Sequence, residues 1–325
     1  MDISPILNSL NPPQREAVGA PPKPILVLAG AGSGKTKVLV HRIAWLLEVE
    51  GVSPFSILAV TFTNKAANEM RGRIQDLLNV QVGGLWVGTF HGLAHRLLRL
   101  HWREAGLPQT FQILDSEDQL RMLKRILKAL DLDETRWPPR QVAGFINSRK
   151  DEGSRAQHLD DRGDLVQAQL IRVYSLYEEQ CQRNGVVDFA ELLLRSLEVL
   201  RDNPDLQSHY RNRFRHVLVD EFQDTNALQY AWLRLIAGQK NPIFAVGDDD
   251  QSIYGWRGAK IENIRNFTHD YPDCETIRLE QNYRSTGNIL KAANALIDHN
   301  RGRLGKNLWT DGSNGMPLDL YAAFN

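Results

Sequence analysis

Residues 25–36 read Ile-Leu-Val-Leu-Ala-Gly-Ala-Gly-Ser-Gly-Lys-Thr, and Val38, Leu39, Ile43, Leu46 and Leu47 follow. A short apolar run bounded by a glycine-rich turn predicts a strand buried on both faces, and the spacing of the apolar residues after Thr36 predicts a helix. Strand, glycine-rich turn and helix in that order make a P-loop. The small residues Ala29, Gly30, Ala31, Gly32, Ser33 and Gly34 let backbone N–H groups turn inward around phosphate oxygens, and the helix N-terminus adds its partial positive charge. Lys35 supplies a mobile point charge to the β- and γ-phosphates, and the Thr36 hydroxyl is placed to ligate Mg²⁺. Ala29 stands where the strict pattern has glycine, a site that tolerates a small side chain.

Working outward, short β-branched runs recur at 24–28, 57–62, 85–89, 216–220 and 242–246, each followed by a turn and a helical pattern. That is the βαβ rhythm of a parallel sheet covered by helices. The predicted fold class is therefore α/β, with one sheet built from two stretches of chain. Between about 110 and 190 the rhythm changes to long amphipathic patterns with no convincing strand. Ser116 with Gln119 reads as a capping box for a helix through Leu120, Leu123, Ile126, Leu127 and Leu130. Pro138 and Pro139 sit where another helix would begin, and helices are expected at 165–183 and 189–200. After Cys274, residues 275–279 read as a strand and 287–300 as a helix. The organisation expected is a first domain from 1–110 and 191–274, a helical insertion at 111–190, and a short opening of a second domain at 275–325.

Apolar residues make up 42% and charged residues 24%, which excludes a disordered or membrane-embedded chain as the overall class. Lys and Arg number 39 and so do Asp and Glu. Nucleic-acid contact, if made, must then be local, in a groove of a few cations and aromatic rings. Cys181 and Cys274 lack the paired spacing of a zinc site or disulfide framework. The N-terminus has no signal-peptide pattern, and no run of eighteen apolar residues occurs, so a cytoplasmic protein without membrane contact is expected.

A P-loop needs carboxylates at the end of a neighbouring strand, and His216-Val217-Leu218-Val219-Asp220-Glu221 supplies them. Asp220 is the candidate Mg²⁺ ligand and Glu221 the candidate general base for an attacking water. A third strand runs into Gly247-Asp248-Asp249-Asp250-Gln251, where the Gln251 amide is the candidate sensor of the γ-phosphate. The three aspartates themselves read as a solvated acidic turn.

Gln14 within LNPPQREAV, the P-loop, AVTFTNKAANEMR at 59–71, GTFHGLAHRLLR at 88–99, VDEFQDTN at 219–226, VGDDDQSIYGWRGA at 246–259 and LEQNYRST at 279–286 form an ordered series. Together they resemble the successive signatures of UvrD/Rep/PcrA-like helicases of superfamily one, over essentially the whole chain. The resemblance implies two RecA-like domains with ATP between them, a helical subdomain inserted in each, and 3′→5′ movement along single-stranded DNA and at ss/dsDNA junctions. It further implies that Gln14 reads the adenine, that Tyr283 stacks near it, and that Arg284 reaches the γ-phosphate. Mismatch- and excision-repair proteins are the partners it implies. Lys37 departs from the Arg often found beside the family's P-loop, and a Lys cannot lie flat on adenine as well as an Arg.

For DNA, Phe62, Thr63 and Asn64, then Phe90 and His91, then Tyr254, Trp256 and Arg257 follow successive strands. Rings stacked on bases, with Arg257 on phosphate, would give sequence-tolerant binding to a single strand. In the resembling helicases Phe62, Tyr254 and Trp256 match DNA-contacting aromatics, and the role of His91 rests on the resemblance. Trp45, Trp86 and Trp232 read instead as packing residues. A P-loop kinase or a transporter ATPase would share Lys35 and Asp220 but not the aromatic segments. The alternative within the same chemistry is an ATP- and DNA-binding module without helicase activity, because residues 275–325 fall short of a complete second domain, and this chain alone is expected to unwind nothing.

Overall fold

A computed structural model describes residues 3–79 and 83–322. Its strands are β1 (Ile25–Ala29), β2 (Ile57–Thr61), β3 (Trp86–Thr89), β4 (Gln112–Ile113), β5 (Val186–Val187), β6 (His216–Val219), β7 (Ile243–Gly247) and β8 (Glu275–Leu279). Six of them form one parallel sheet in the order β3-β2-β6-β7-β1-β8. Every residue of β1, β2 and β7 is buried, as their uninterrupted apolar character requires. Parallel strands of one sheet need crossovers between them, and the helices Lys35–Glu48 and Asn64–Leu78 supply two. Their apolar faces join Val27, Ala59, Leu218 and Val246 in one core. No helix among the described residues is long and apolar enough to cross a membrane.

From β1 the chain crosses to β2, beyond β6 and β7, so the strand order reverses beside β1. The crevice at the carboxyl ends of the strands at such a reversal is where open α/β sheets bind ligands. Residues 275–279, read from the sequence as the opening of a second domain, are β8. Ile25 to Ala29 stand opposite Glu275 to Leu279 in parallel register.

The chain divides into two compact units, Met1–Thr89 with Asn212–Thr225 and Ala237–Asn325, and Phe90–Arg211 with Asn226–Ile236. The second unit has helices at Ser116–Ala129, Pro139–Asp151, Leu165–Asn184 and Phe189–Asp202, the last running beyond the 111–190 span expected for the helical insertion. Leu123, Leu127, Val142, Ile146, Val173, Tyr174 and Tyr177 form its core. Two expectations for this stretch are corrected. The two-residue strands β4 and β5 pair with each other in parallel, a pairing too short to leave an alternating pattern in the sequence. The cap of the first helix is Asp115, whose carboxylate accepts from the N–H of Asp118 at 2.8 Å, so that Ser116 is already helical. Removing that cap in Asp115→Ala is expected to lower the unfolding free energy by about 1 kcal/mol, whereas Ser116→Ala should change it little; denaturant melts of the two variants decide between the two caps.

A buried ion network also holds this unit. Lys150, 1% exposed, places its ammonium 2.7 Å from Asp188 and 3.0 Å from Glu191. Arg155 joins Glu178, Glu191 and Glu198, and Arg195 reaches Glu191 at 2.7 Å. Burial pushes the Glu191 carboxyl up, but Lys150, Arg155 and Arg195 outweigh it and hold the group well below the usual carboxylate range.

Candidate nucleotide site and nucleic-acid interface

The P-loop leaves the end of β1, turns through Gly32 (φ 69°) and Gly34 (φ 90°), and enters the helix that opens at Lys35. These two glycines hold the left-handed backbone that other residues adopt only under strain. The carbonyl groups of Gly30 to Ser33 are all engaged. The Gly30 carbonyl accepts from the Ser33 N–H at 3.2 Å and the Ser33 hydroxyl at 2.7 Å. The Ala31 carbonyl accepts from Asn282 Nδ2 at 2.5 Å, the Gly32 carbonyl from the Tyr283 N–H at 3.0 Å, and the Ser33 carbonyl from Gln14 Nε2 at 2.8 Å. Gln14 is itself fixed by a capping box with Asn11, in which each side chain bonds the other's backbone N–H.

Across the sheet edge, β6 ends in Asp220 and Glu221. Glu221 takes a left-handed conformation (φ 49°), rare for a residue with a side chain. Its carboxylate lies 3.5 Å from Lys35 Nζ and accepts from Gln223 Nε2 at 2.8 Å. The Asp220 carboxyl is buried, and that burial, with Glu221 beside it, pushes its pKa up to about 7 against the pull of the Glu221 N–H and Lys35. Two carboxylates sharing one ammonium at a buried strand end are short of positive charge. A divalent cation between Asp220 and Thr36 would offset that shortage, so the donor set fits Mg²⁺.

Gln223, 1% exposed, continues the chain of contacts. Its oxygen accepts from the Asp248 N–H at 2.9 Å, and Asp248 in turn pairs with the Gln251 amide. The acidic turn is not solvated, which corrects the reading from sequence. Asp248 and Asp249 are buried, and Lys306, 2% exposed at its side chain, reaches Asp248 and Asp249 at 2.6 Å and Asp250 at 2.8 Å. Arg303 forms a bidentate pair with Asp250 and a further contact to Asp298. Gln223, Asn282 and Lys306 are the residues that sequence reasoning did not single out. The signal for the first two was a polar side chain set within an otherwise regular motif.

Tyr283 is 58% exposed, and its hydroxyl accepts from Asn11 Nδ2 at 2.8 Å and donates to Gln281 at 2.9 Å. Arg284 is exposed, with its Cβ close to Gly32. Lys37 donates to the Ser9 carbonyl at 2.5 Å, and burial holds its pKa below the ordinary value. Gln14, Tyr283, Arg284, the P-loop, Asp220, Glu221 and Gln251 thus lie in one unit. Gln14 is 1% exposed, its amide bonded to Asn11 and Ser33.

The aromatic candidates separate. Phe62, Thr63 and Asn64 follow β2, with Thr63 capping the next helix through the Ala66 N–H. Tyr254 and Trp256 are 38% and 76% exposed, with ring centroids 6.3 Å apart. Arg257 is in the same turn, and its side chain lies outside the described residues. Phe90 is 1% exposed and edge-on to Trp232 at 6.2 Å, so its ring is core and has no face for a base, against expectation. His91, in the same unit as Phe90, stands edge-on to Phe189 at 6.4 Å, and burial lowers its pKa. Trp86 and Trp232 are 1% and 0% exposed, as packing residues should be.

A family model described as the UvrD/REP helicase N-terminal domain matches residues 10–272. DNA helicase II of Escherichia coli is 65% identical over 325 residues, and that of Salmonella typhimurium 64%. The ATP-dependent DNA helicase PcrA of Staphylococcus epidermidis is 43% identical over 319 residues. The alignments cover 98–100% of this chain and 44–45% of these relatives, so the chain spans under half their length.

Proposed function

The chain belongs to the UvrD/REP helicase family, and on that premise we propose that it is the ATP-binding, strand-gripping N-terminal part of a 3′→5′ single-stranded DNA translocase. The observation that carries the nucleotide half is the P-loop with its carbonyls bonded outward, beside a Lys35–Glu221 pair at 3.5 Å and a buried Asp220. In this reading Lys35 and the loop N–H groups hold the phosphates, and Thr36 and Asp220 hold Mg²⁺. The bound ion supplies charge neutralisation at the phosphate oxygens. Glu221 accepts a proton from the attacking water, Gln251 hydrogen-bonds the γ-phosphate or that water, and Arg284 neutralises charge spreading over the transferred phosphoryl group. Gln14 reads the adenine by exchanging its bond to Asn11 or Ser33 for one to the base, and Tyr283 stacks near it.

For the strand, the proposal rests on Phe62–Asn64 and on Tyr254 and Trp256, carried beyond the carboxyl ends of β2 and β7 in one parallel sheet. His91 and Arg257 belong to it through the ordered motifs alone. So do action at ss/dsDNA junctions and the setting of mismatch and nucleotide excision repair.

Anisotropy of a labelled oligo-dT tests this half. Trp256→Ala is expected to weaken binding by roughly 1–3 kcal/mol, the usual value of one base–aromatic stack, with an unchanged melting temperature. Trp86→Ala should instead cost roughly 3–5 kcal/mol of stability through its cavity. A Trp256→Ala protein that binds normally but melts early would overturn the assignment. Phosphate release stimulated by the same oligonucleotide separates a motor from a passive binding module.

A further inference from the structure

We propose that Asn282 is a positioning residue for the P-loop, one that turns the loop's N–H groups toward the phosphates by holding a carbonyl outward and ties that geometry to the backbone of Arg284. The inference rests on the nucleotide-binding reading above. Backbone N–H groups converge on one side of a tight loop only when the intervening carbonyls point to the other, and an outward carbonyl inside a protein needs a donor. Here each has one. Ser33 serves the Gly30 carbonyl from within the loop and Gln14 serves the Ser33 carbonyl from the N-terminal side. Between them, the Ala31 and Gly32 carbonyls are served by Asn282 Nδ2 and the Tyr283 N–H, from a segment 251 residues away in sequence.

The orientation of the Asn282 amide follows from its partners. Its oxygen accepts from the Arg284 N–H at 2.8 Å and the Ser285 N–H at 2.7 Å, both obligatory donors, so only the NH₂ group can face the Ala31 carbonyl. The side chain is 2% exposed, and the backbone N–H of Asn282 is taken by the Trp309 carbonyl at 2.7 Å. The approach is close as well. A Cβ on Gly32 would fall 2.7 Å from Asn282 Nδ2 and 2.8 Å from the Cβ of Arg284, which leaves glycine as the residue that fits. One carboxamide therefore sets two things at once, the direction of the Ala31 peptide and the turn from which Arg284 projects.

Two substitutions separate those effects. Asn282→Asp keeps the acceptor for Arg284 and Ser285 but sets a carboxylate against the Ala31 carbonyl. Asn282→Ser keeps a weaker version of the same turn and cannot span the gap. Affinities for fluorescent ADP and ATP analogues with Mg²⁺ are measured on the chain, with Lys35→Ala alongside and thermal melts without nucleotide. Asn282→Asp is expected to lose roughly 10- to 100-fold in affinity for both nucleotides as the Ala31 peptide loses its direction, and to stay folded with a melting temperature lowered by no more than about 10 °C, the cost of one unmet buried hydrogen bond. Asn282→Ser should fall between the two. Affinities within twofold of the original for both variants would overturn the proposal. Loss of ATP affinity with ADP affinity intact would overturn its P-loop half, since the loop cradles phosphates that both nucleotides carry. If both variants unfold, Asn282 is a structural residue and the proposal fails. If the unaltered chain and Lys35→Ala bind alike, it is the nucleotide reading itself that has failed.

Discussion

Lys306→Ala is expected to destabilise the protein by about 3–5 kcal/mol, the usual cost of stripping one partner from a buried ion pair. The ammonium meets three carboxylates at 2.6–2.8 Å, and two of the aspartates are buried. Burial works against a charged Lys306, yet Asp248 and its neighbours outweigh it and raise its pKa above the ordinary value. Arg303 remains in the variant but reaches only Asp250 of the three. The pH dependence follows from the signs. Lys306 is raised, so its contribution is whole below pH 10.5 and is lost as pH rises through its higher folded value. Asp250 is lowered, so its contribution is whole above pH 3.8 and is lost as pH falls through its lower folded value. The clamp should therefore hold at full strength from about pH 4 to about pH 10. In Lys306→Ala the deficit relative to the unaltered chain should shrink toward acid pH, where neutral carboxyls need no cation. Thermal melts from pH 4 to 8 measure both effects. Equal melting temperatures at pH 7 would show that the cluster contributes nothing.

The second large effect is on nucleotide. Lys35→Ala should lose roughly 100-fold or more in Mg-ATP affinity, since truncating one member of a desolvated charge contact costs about 2–5 kcal/mol. Lys35 is 10% exposed at its side chain and has Glu221 as its ion-pair partner. The variant thus withdraws the ammonium from the phosphates and from a carboxylate at the same time. Glu221→Gln should retain binding, because the amide keeps the shape and the contact with Gln223 while losing the base. Titration with a fluorescent ATP analogue checks both, and equal affinity in the unaltered chain and Lys35→Ala would refute the site.

What the sequence made legible is what it encodes contiguously. Residues 25–36 announced strand, turn and helix because burial on both faces leaves an unbroken apolar run and because a phosphate loop demands small residues. Five of the large sheet's strands were placed to within about one residue at each end for the same reason, and 275–279 matched β8. Asp220, Glu221 and Gln251 could be nominated because each follows a strand. What stayed hidden is held by pairs distant in sequence. Nothing local marks Lys306 as the cation of the 248–250 turn, or Arg303 as the partner of Asp250. Asn282 looked like one polar residue among several until Ala31 was brought to it. Phe90 failed in the opposite sense: its position after a strand suggested an exposed ring, and only packing against Trp232 shows it to be core.

The partners of β1 have a consequence for how the molecule is made. Residues 25–29 emerge first among the strands of the large sheet, yet among the described residues they pair only with β7 and β8. At a synthesis rate of about 5–20 residues per second, the 218 residues from Ala29 to Gly247 correspond to a wait on the order of ten to forty seconds. During it the helices between 116 and 202 are already outside the ribosome and able to close their own core. The most apolar strand of the nucleotide site meanwhile has no neighbour of its own. Pairing at such sequence distance is slow even in a finished chain. A nascent polypeptide halted anywhere between about 50 and 240 should therefore recruit chaperones through residues 25–29, and release them only when β7 arrives.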